Sequence, residues 1–520
     1  MVAAVRHVAS AQMPYVSLIV EALRAQPAAV FWTAALAQAC IWVVVPALFY
    51  TSPPGDLPEL LAIGREWQIG SWRGPPLAFW LAELAFRAAG GRVIGVYILA
   101  QACIVLAFWA MFALGRAIVG VHHAAMAVLL MGGVLAFSAP TAEFGPAVLA
   151  LPLTALSLLH FWRALGEGRR NAWIALAVIL GLLLLTTYWG LLLVVLIAAF
   201  LILTREGRAA LAGIDPWAAT ALTLLVPFPH LGWMWQSGVL RSIGAETTLA
   251  AGLAGRLAFW PVLLFGVLAL HAGLIILAVL ASGWRNDPQW QPPLIEGHVR
   301  RPLARKFIGF FALMLPVAGT LSAVVLNTGG TASWAGALVL MSALAVIVLA
   351  GERIAIHRQQ VVGLTWVAIL LVPPVALLAA IVAGPWTGAF ELDSRQPAAA
   401  MGRFFTETFR RRLGKPLEIV VGDTREVYLV ALSSPDRPRV FSAARPQRTP
   451  WLAASDVRAN GAIVIWDVQD ASGQPPPAIR ARFPDLVAEI PQTFERPIQG
   501  LLPTLRIGWG VIRPSADAAQ

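Results

Sequence analysis

Residues 50–80, YTSPPGDLPELLAIGREWQIGSWRGPPLAFW, decide how this chain is read. They close an apolar run (31–50) and bring Asp56, Glu59, Arg65, Glu66 and Arg73 together ahead of Pro75–Pro76. ELLAIGREWQIGSW repeats apolar residues at helical spacing with charges opposite, the pattern of a helix lying in a membrane interface. PPLAFWLAELAF reads the same way, with proline in the first turn, where its missing N–H is tolerated. Two such helices beside a first apolar segment make a polar platform at a membrane surface.

Composition extends that reading to the whole chain. Of 520 residues, 58% are hydrophobic and only 12% charged, and mean hydropathy is +0.73. Soluble domains are usually about a quarter charged, so this is a membrane protein. Eleven apolar runs are long enough, or nearly so, to cross about 30 Å of hydrocarbon as helix. They fall at 31–50, 93–114, 124–139, 146–162, 172–186, 189–204, 217–235, 258–281, 307–326, 333–350 and 361–383. The first is too late and too long for a cleaved signal, so it reads as a retained anchor after a cytoplasmic segment 1–30.

The net charge of +11 does not point to nucleic acid, because most basic residues before the C-terminal region sit in short loops, as orientation signals do. With the N-terminus cytoplasmic, one side receives Arg116, Arg163, Arg169, Arg170, Arg205, Arg208, Arg285, the 300–306 cluster, Arg353 and Arg358. Arg87, Arg92, Arg241 and Arg256 fall on the other side. That side also receives 51–92 and everything after 384, which an odd number of spans places outside. Cys40 and Cys103 lie inside apolar runs and read as small hydrophobes.

Residues 384–520 have ordinary soluble composition. MGRFFTETFRRRLG is an amphipathic helix, PPAIRARF a second, and PLEIVVGD, PRVFSA, GAIVIWDV, VAEIPQTF and LRIGWGVI read as strands. Alternating strands and helices predict a small α/β layer domain.

Candidates for chemistry cluster on the outer side. Asp56, about five residues past the first span, is the candidate general base; its plain alternative is a cap for the following helix. Arg65 and Glu66 read as the wet face of that helix. Arg73 reads equally as a phosphate clamp and as a lipid head-group anchor. Glu143, at a tight turn between spans, is either a second acidic site or a cap on the next span. His230 lies among Trp233 and Trp235 at a span end, where a packed or interfacial histidine is the ordinary finding. There is no HExxH, CxxC pair, P-loop, GxGxxG or GxSxG, which argues against ATP-driven transport. No cofactor is indicated and no metal-binding cluster stands out, which leaves a divalent metal as an option.

In this order the residues resemble GT-C glycosyltransferases of the family 39 type, which includes protein O-mannosyltransferases and the lipid A aminoarabinose and galacturonic acid transferases. Arg65–Glu66, Gly70, Trp72, Pro75–Pro76–Leu77 and Trp80–Leu81 fall in register with the family's first outer loop. AEFGPAVLALPLTALSLLHFWRAL, GLLLLTTYWGLLL, PHLGWMWQSG and TASWAGALVLMSA then follow the family's later segments, so the likeness spans roughly 30–350. The resemblance implies a GT-C fold of about eleven spans (31–383) with interfacial helices in the 51–92 loop, a cavity open to lipid, and a periplasmic α/β domain (384–520). It implies a bacterial inner-membrane glycosyltransferase taking sugar from a polyprenyl-phosphate donor, with inversion. The acceptor class is lipid A, lipopolysaccharide or another glycolipid, with a secreted protein as the other option. It assigns the base to Asp56; Glu59, one turn later, is the candidate stand-in for the missing partner, Arg73 first and then Arg65 the candidate cations for donor phosphate, and Glu143, Tyr188 and His230 the candidate acceptor or second acidic residues.

Three positions depart from the family pattern: Leu57 stands where a glutamate follows the aspartate, Gly74 where a lysine precedes the prolines, and Thr187 where a lysine precedes Tyr188. A transporter would instead show mid-membrane charges and an inverted repeat. A non-catalytic envelope assembly protein is the other alternative, and the departures keep it in play.

Overall fold

A computed structural model describes residues 15–139, 143–237, 253–282, 294–296, 302–326, 331–387, 392–468, 473–484 and 486–514. The expected loop at 236–257 with Arg241, and the basic residues Arg285, Arg300 and Arg301, fall wholly or mostly outside them. The chain forms two compact units. One comprises Met1–Trp42, Gln101–Pro140 and Pro146–Pro374; the other comprises Val43–Ala100, Thr141–Gly145 and Val375–Gln520.

All eleven apolar runs are helical, but they do not become eleven long helices. Five are long and apolar enough to cross a membrane: Pro27–Phe49, Ile94–Val119, Pro146–Leu165, Pro302–Val325 and Gln359–Thr387. Two bent pairs, Gly190–Leu203 with Arg205–Leu211 and Gly255–Ala269 with Ala272–Ser282, bring the total to seven among the described residues. Runs 124–139, 217–235 and 333–350 break into shorter pieces, such as Asp215–Leu225 followed by Phe228–Ser237. The break after Leu203 has a visible cause. Thr204 adopts an extended backbone and its Oγ1 accepts from the Gly207 N–H at 3.1 Å, which caps a new helix turned by 102°.

Among the described residues the first unit is helical apart from a short antiparallel pair, β1 (Leu294–Glu296) and β2 (Arg353–Ala355). Its interior is held by aromatic packing: Phe161, Phe200, Phe307 and Phe311 stack mutually at centroid distances of 4.9–6.1 Å. Such pairs add about 0.5–1.5 kcal/mol each beyond area burial. The Pro146–Leu165 helix is the central element, with 78% of its apolar window buried, against 17% for Gln359–Thr387. An apolar cavity of about 790 Å³, lined by residues including Leu23, Val30, Leu129, Ile347 and Trp366, lies wholly within this unit.

The second unit is built on a five-stranded sheet of order β4-β3-β5-β7-β6. Here β3 is Ile419–Val421, β4 Arg439–Phe441, β5 Ala462–Asp467, β6 Gln492–Phe494 and β7 Leu505–Ile512. Strands β4, β3 and β5 are parallel, joined through the Arg425–Ser433 and Ala454–Asn460 helices; β7 is antiparallel to β5 and β6. Side-chain alternation sends Val420, Ile463 and Ile465 into one core with Phe405, Phe409 and Trp509. Ile419, Val421, Val464 and Trp466 enter a second core with Phe441 and Phe483 on the other face. Both faces are buried, as parallel strands require.

This unit also holds two helices of the 51–92 loop, Leu57–Arg65 and Leu77–Ala88; the first ends at Arg65, short of the expected 59–72, where Trp67 takes a left-handed φ of +50°. They cross closely because Gly64 has no side chain: a Cβ there would collide with the Phe79 carbonyl oxygen. Leu57, Leu60, Leu61 and Ile63 are buried, and Ala62 packs against the Phe405–Trp509 core.

Candidate active site

Asp56 occupies the cap position of the Leu57–Arg65 helix, yet its side chain makes no capping hydrogen bond. The carboxylate is 69% exposed and meets Arg73 Nη2 through Oδ2 at 2.6 Å. The same nitrogen lies 2.6 Å from Glu59 Oε2. Positions 56 and 59 are one helical turn apart, so both carboxylates face the guanidinium. Burial would lower the Arg73 pKa, but Glu59 and then Asp56 outweigh it and the net direction is upward. Leu57, at the position of the family's glutamate, is fully buried, and Glu59 is the acidic side chain that shares Arg73 with Asp56.

The backbone around Asp56 is held from several sides. Its N–H donates to Glu143 Oε1 at 2.8 Å. Glu143 is thus placed as a support for Asp56. Burial raises its pKa; the Asp56 N–H works against this and the Asp56 charge adds to it. Gly55 has φ +51°, and any Cβ there would run into the Glu143 carboxylate, so glycine is required both by backbone and by space. Arg425 donates to the carbonyls of Gly55 and Pro53, and to Asp393 O at 3.2 Å. Ser52 Oγ donates to Asp393 O at 2.7 Å and accepts from the Gln396 N–H at 3.0 Å.

Arg73 belongs to a tight turn in which Ser71 and Gly74 exchange backbone hydrogen bonds at 3.2 and 3.1 Å. Its guanidinium lies 5.0 Å from the Trp72 ring centroid, and Arg448 lies over the same ring at 3.8 Å. Tyr428 completes the group: burial, then Glu59 and Asp423, push its phenol pKa upward, and it hydrogen-bonds Glu59.

Arg65 is placed elsewhere. Its pKa is lowered by burial first and then by Arg437, with Arg439 adding to this, and among the described residues no hydrogen bond joins it to Asp56, Glu59 or Arg73. Around it run three ion pairs. Fully buried Glu83 accepts from Arg437 at 2.9 and 2.7 Å and from Arg87 at 2.6 Å. Glu66 accepts from Arg439 at 2.6–3.1 Å. Tyr188 and His230 belong to the other compact unit, where Tyr188 Oη is 3.2 Å from His230 Nε2 and His230 stacks on Trp233. Thr187, in the place of the family's lysine, accepts the Trp189 N–H at 3.1 Å.

The described residues contain no group of three or more His, Cys, Asp or Glu side chains set to hold a metal. Arg73 fills the space between Asp56 and Glu59 that an ion would need, so these residues do not fit one. Arg425, Tyr428, Arg437, Arg439 and Arg448 were missed as site residues in sequence, where they read as ordinary residues of the C-terminal α/β domain.

Comparison with known proteins bears on this geometry. Residues 73–233 match the family described as dolichyl-phosphate-mannose-protein mannosyltransferase. The crystal structure of ArnT from Cupriavidus metallidurans bound to undecaprenyl phosphate matches with TM-score 0.54 and 14% identity, over 94% of this chain and 98% of that one. The apo ArnT structure from the same organism matches with TM-score 0.54 and 13% identity over the same shares. At such identity the likeness is one of fold. No curated protein sequence matches the chain. Together these findings show the GT-C-type membrane fold that the resemblance led us to expect, with residues 73–233 similar to the mannosyltransferase family.

Proposed function

We propose that the protein transfers a sugar from a polyprenyl-phosphate donor to an acceptor hydroxyl on the periplasmic face of the bacterial inner membrane. A glycolipid of the envelope is the favoured acceptor. Asp56 takes the acceptor proton as the oxygen bonds to the anomeric carbon, while the bond from that carbon to the phosphate oxygen breaks with inversion. Polyprenyl phosphate leaves as the anion, needing charge neutralisation more than an acid. Arg73, shared by Asp56 and Glu59, is placed to release one carboxylate and meet that charge.

The observation that carries this reading is the exposed, uncapped Asp56 carboxylate beside an arginine, on the loop that leads into the matched family segment. The test is transfer of radiolabelled sugar from a panel of polyprenyl-phosphate sugars into lipid and protein fractions, wild type beside Asp56→Asn at matched expression. Label in one fraction that disappears with Asp56→Asn supports it. Label indifferent to Asp56 refutes the mechanism, and no label from any donor favours the transporter and assembly readings.

A further inference from the structure

Arg448 stands out among the cations near Asp56 because nothing neutralises it directly. It ends the short Pro446–Arg448 turn, in a loop tied down where Ser442 Oγ and the Ala444 N–H donate to Asp423. Its guanidinium lies 3.8 Å over the Trp72 ring, and among the described residues it makes no hydrogen bond or ion pair. Burial lowers its pKa first, Arg445 and Arg73 push the same way, and Glu59 and Tyr428 oppose them. A half-buried cation without a counter-ion is costly unless stacking or a ligand compensates. Trp72 supplies the stacking and fixes the plane of the fork, leaving its N–H donors unspent.

The position next to the double proline sharpens this. Where the family resemblance places a lysine, Gly74 has no side chain, φ is +132°, and nothing lies within 4 Å of where a Cβ would be. Arg73 is already engaged by two carboxylates. A spare guanidinium reaches the same Trp72 from a residue 376 positions later in the chain than residue 72.

We propose that Arg448 is a phosphate-binding residue of this site, presenting its free N–H donors to an anionic substrate oxygen beside Arg73. The phosphate is either that of the polyprenyl donor or one carried by the acceptor; the inference rests on the transferase reading for its setting. The experiment uses full-length protein in nanodiscs. Binding of polyprenyl phosphate, the matching polyprenol, a phosphorylated glycolipid and its dephosphorylated form is measured for wild type, Arg448→Ala and Arg448→Lys, with thermal midpoints recorded alongside.

Loss of affinity on the order of tenfold or more in Arg448→Ala for one phosphorylated ligand, with its unphosphorylated partner unaffected, is expected. Arg448→Lys, keeping the charge but not the stacked fork, should recover part of it. Which phosphorylated ligand responds identifies the source. Unchanged binding of both phosphorylated ligands, or equal losses with and without phosphate, overturns the inference. Wild type that ignores polyprenyl phosphate while glycolipid phosphate still depends on Arg448 refutes the donor in our functional reading and keeps this inference.

Discussion

Removing the charge of Glu83 should loosen the outer loop from the C-terminal sheet by an amount that can be worked from geometry. Its carboxylate is wholly buried and accepts two hydrogen bonds from Arg437 and one from Arg87. Arg437 is 24% exposed and sits 4.3 Å over Phe86, with φ +50°, a left-handed conformation that costs a non-glycine residue about 1–2 kcal/mol. Breaking a buried pair by neutralising one partner typically costs about 3–5 kcal/mol. Arg87 is 53% exposed and recovers water, so its share is small. We therefore expect Glu83→Gln to destabilise by about 2–3 kcal/mol. Pulse proteolysis across a urea series in nanodiscs measures it, following release of the 392–514 region. A double cycle with Arg437→Gln should return a coupling above about 1.5 kcal/mol. Coupling below about 0.5 kcal/mol would refute the argument. Acid should act the same way. Burial favours the neutral form, but the hydrogen bonds from Arg437 and Arg87 win and hold the Glu83 pKa below its usual value. Its stability is thus present at neutral pH and lost as pH falls below the ordinary glutamate range.

Other perturbations test other parts of the molecule. Gly55→Ala forces a Cβ into the Glu143 carboxylate at a left-handed position, so transfer activity should fall by about 10²-fold with a small loss in thermal midpoint; unchanged activity would remove Glu143 as a support for Asp56. Arg73→Ala leaves Asp56 and Glu59 facing each other unneutralised, and steady-state kinetics should show a drop in kcat of about 10²-fold, partly recovered in Arg73→Lys. Asp467, pushed up to about 6 by burial and then by neighbouring Glu426, favours the protonated form in the fold, so its contribution to stability grows as pH falls through that value and is lost above it. Asp467→Asn should flatten the stability profile between about pH 4 and 6 and raise stability at pH 7, read by the same proteolysis assay. Tyr188→Phe removes one hydrogen bond to His230 and should cost about 1 kcal/mol; a change in acceptor KM without that loss would assign Tyr188 to substrate instead.

What the sequence disclosed is what local patterning can carry. The 57–65 and 77–88 helices follow from 3.6-residue spacing and proline placement, and strands such as Ala462–Asp467 from β-branched runs between turn residues. Apolar runs such as 217–235 and 333–350 show where helices lie but not where they break, since a capped bend like that at Thr204 depends on one side chain turning back to the backbone. At the site, Asp56, Glu59 and Arg73 are one loop apart and could be grouped by spacing alone. Arg425, Arg437, Arg439 and Arg448 could not. In sequence they are ordinary charges of a soluble domain, and only the parallel crossovers at β3, β4 and β5 bring them to the loop.

Those long-range pairs set a timetable for synthesis. Gly55 meets Arg425 across 370 residues, Glu83 meets Arg437 across 354, and Glu66 meets Arg439 across 373. At about 5–20 residues per second, the ribosome needs roughly 20–70 s to make the second half of each pair. Until then Glu83 has only Arg87 for a partner, and the Leu57–Arg65 helix lacks the sheet core that covers Ala62. The nascent loop must therefore wait, half-assembled, while most of the remaining chain is synthesised, its partners arriving only with the C-terminal sheet.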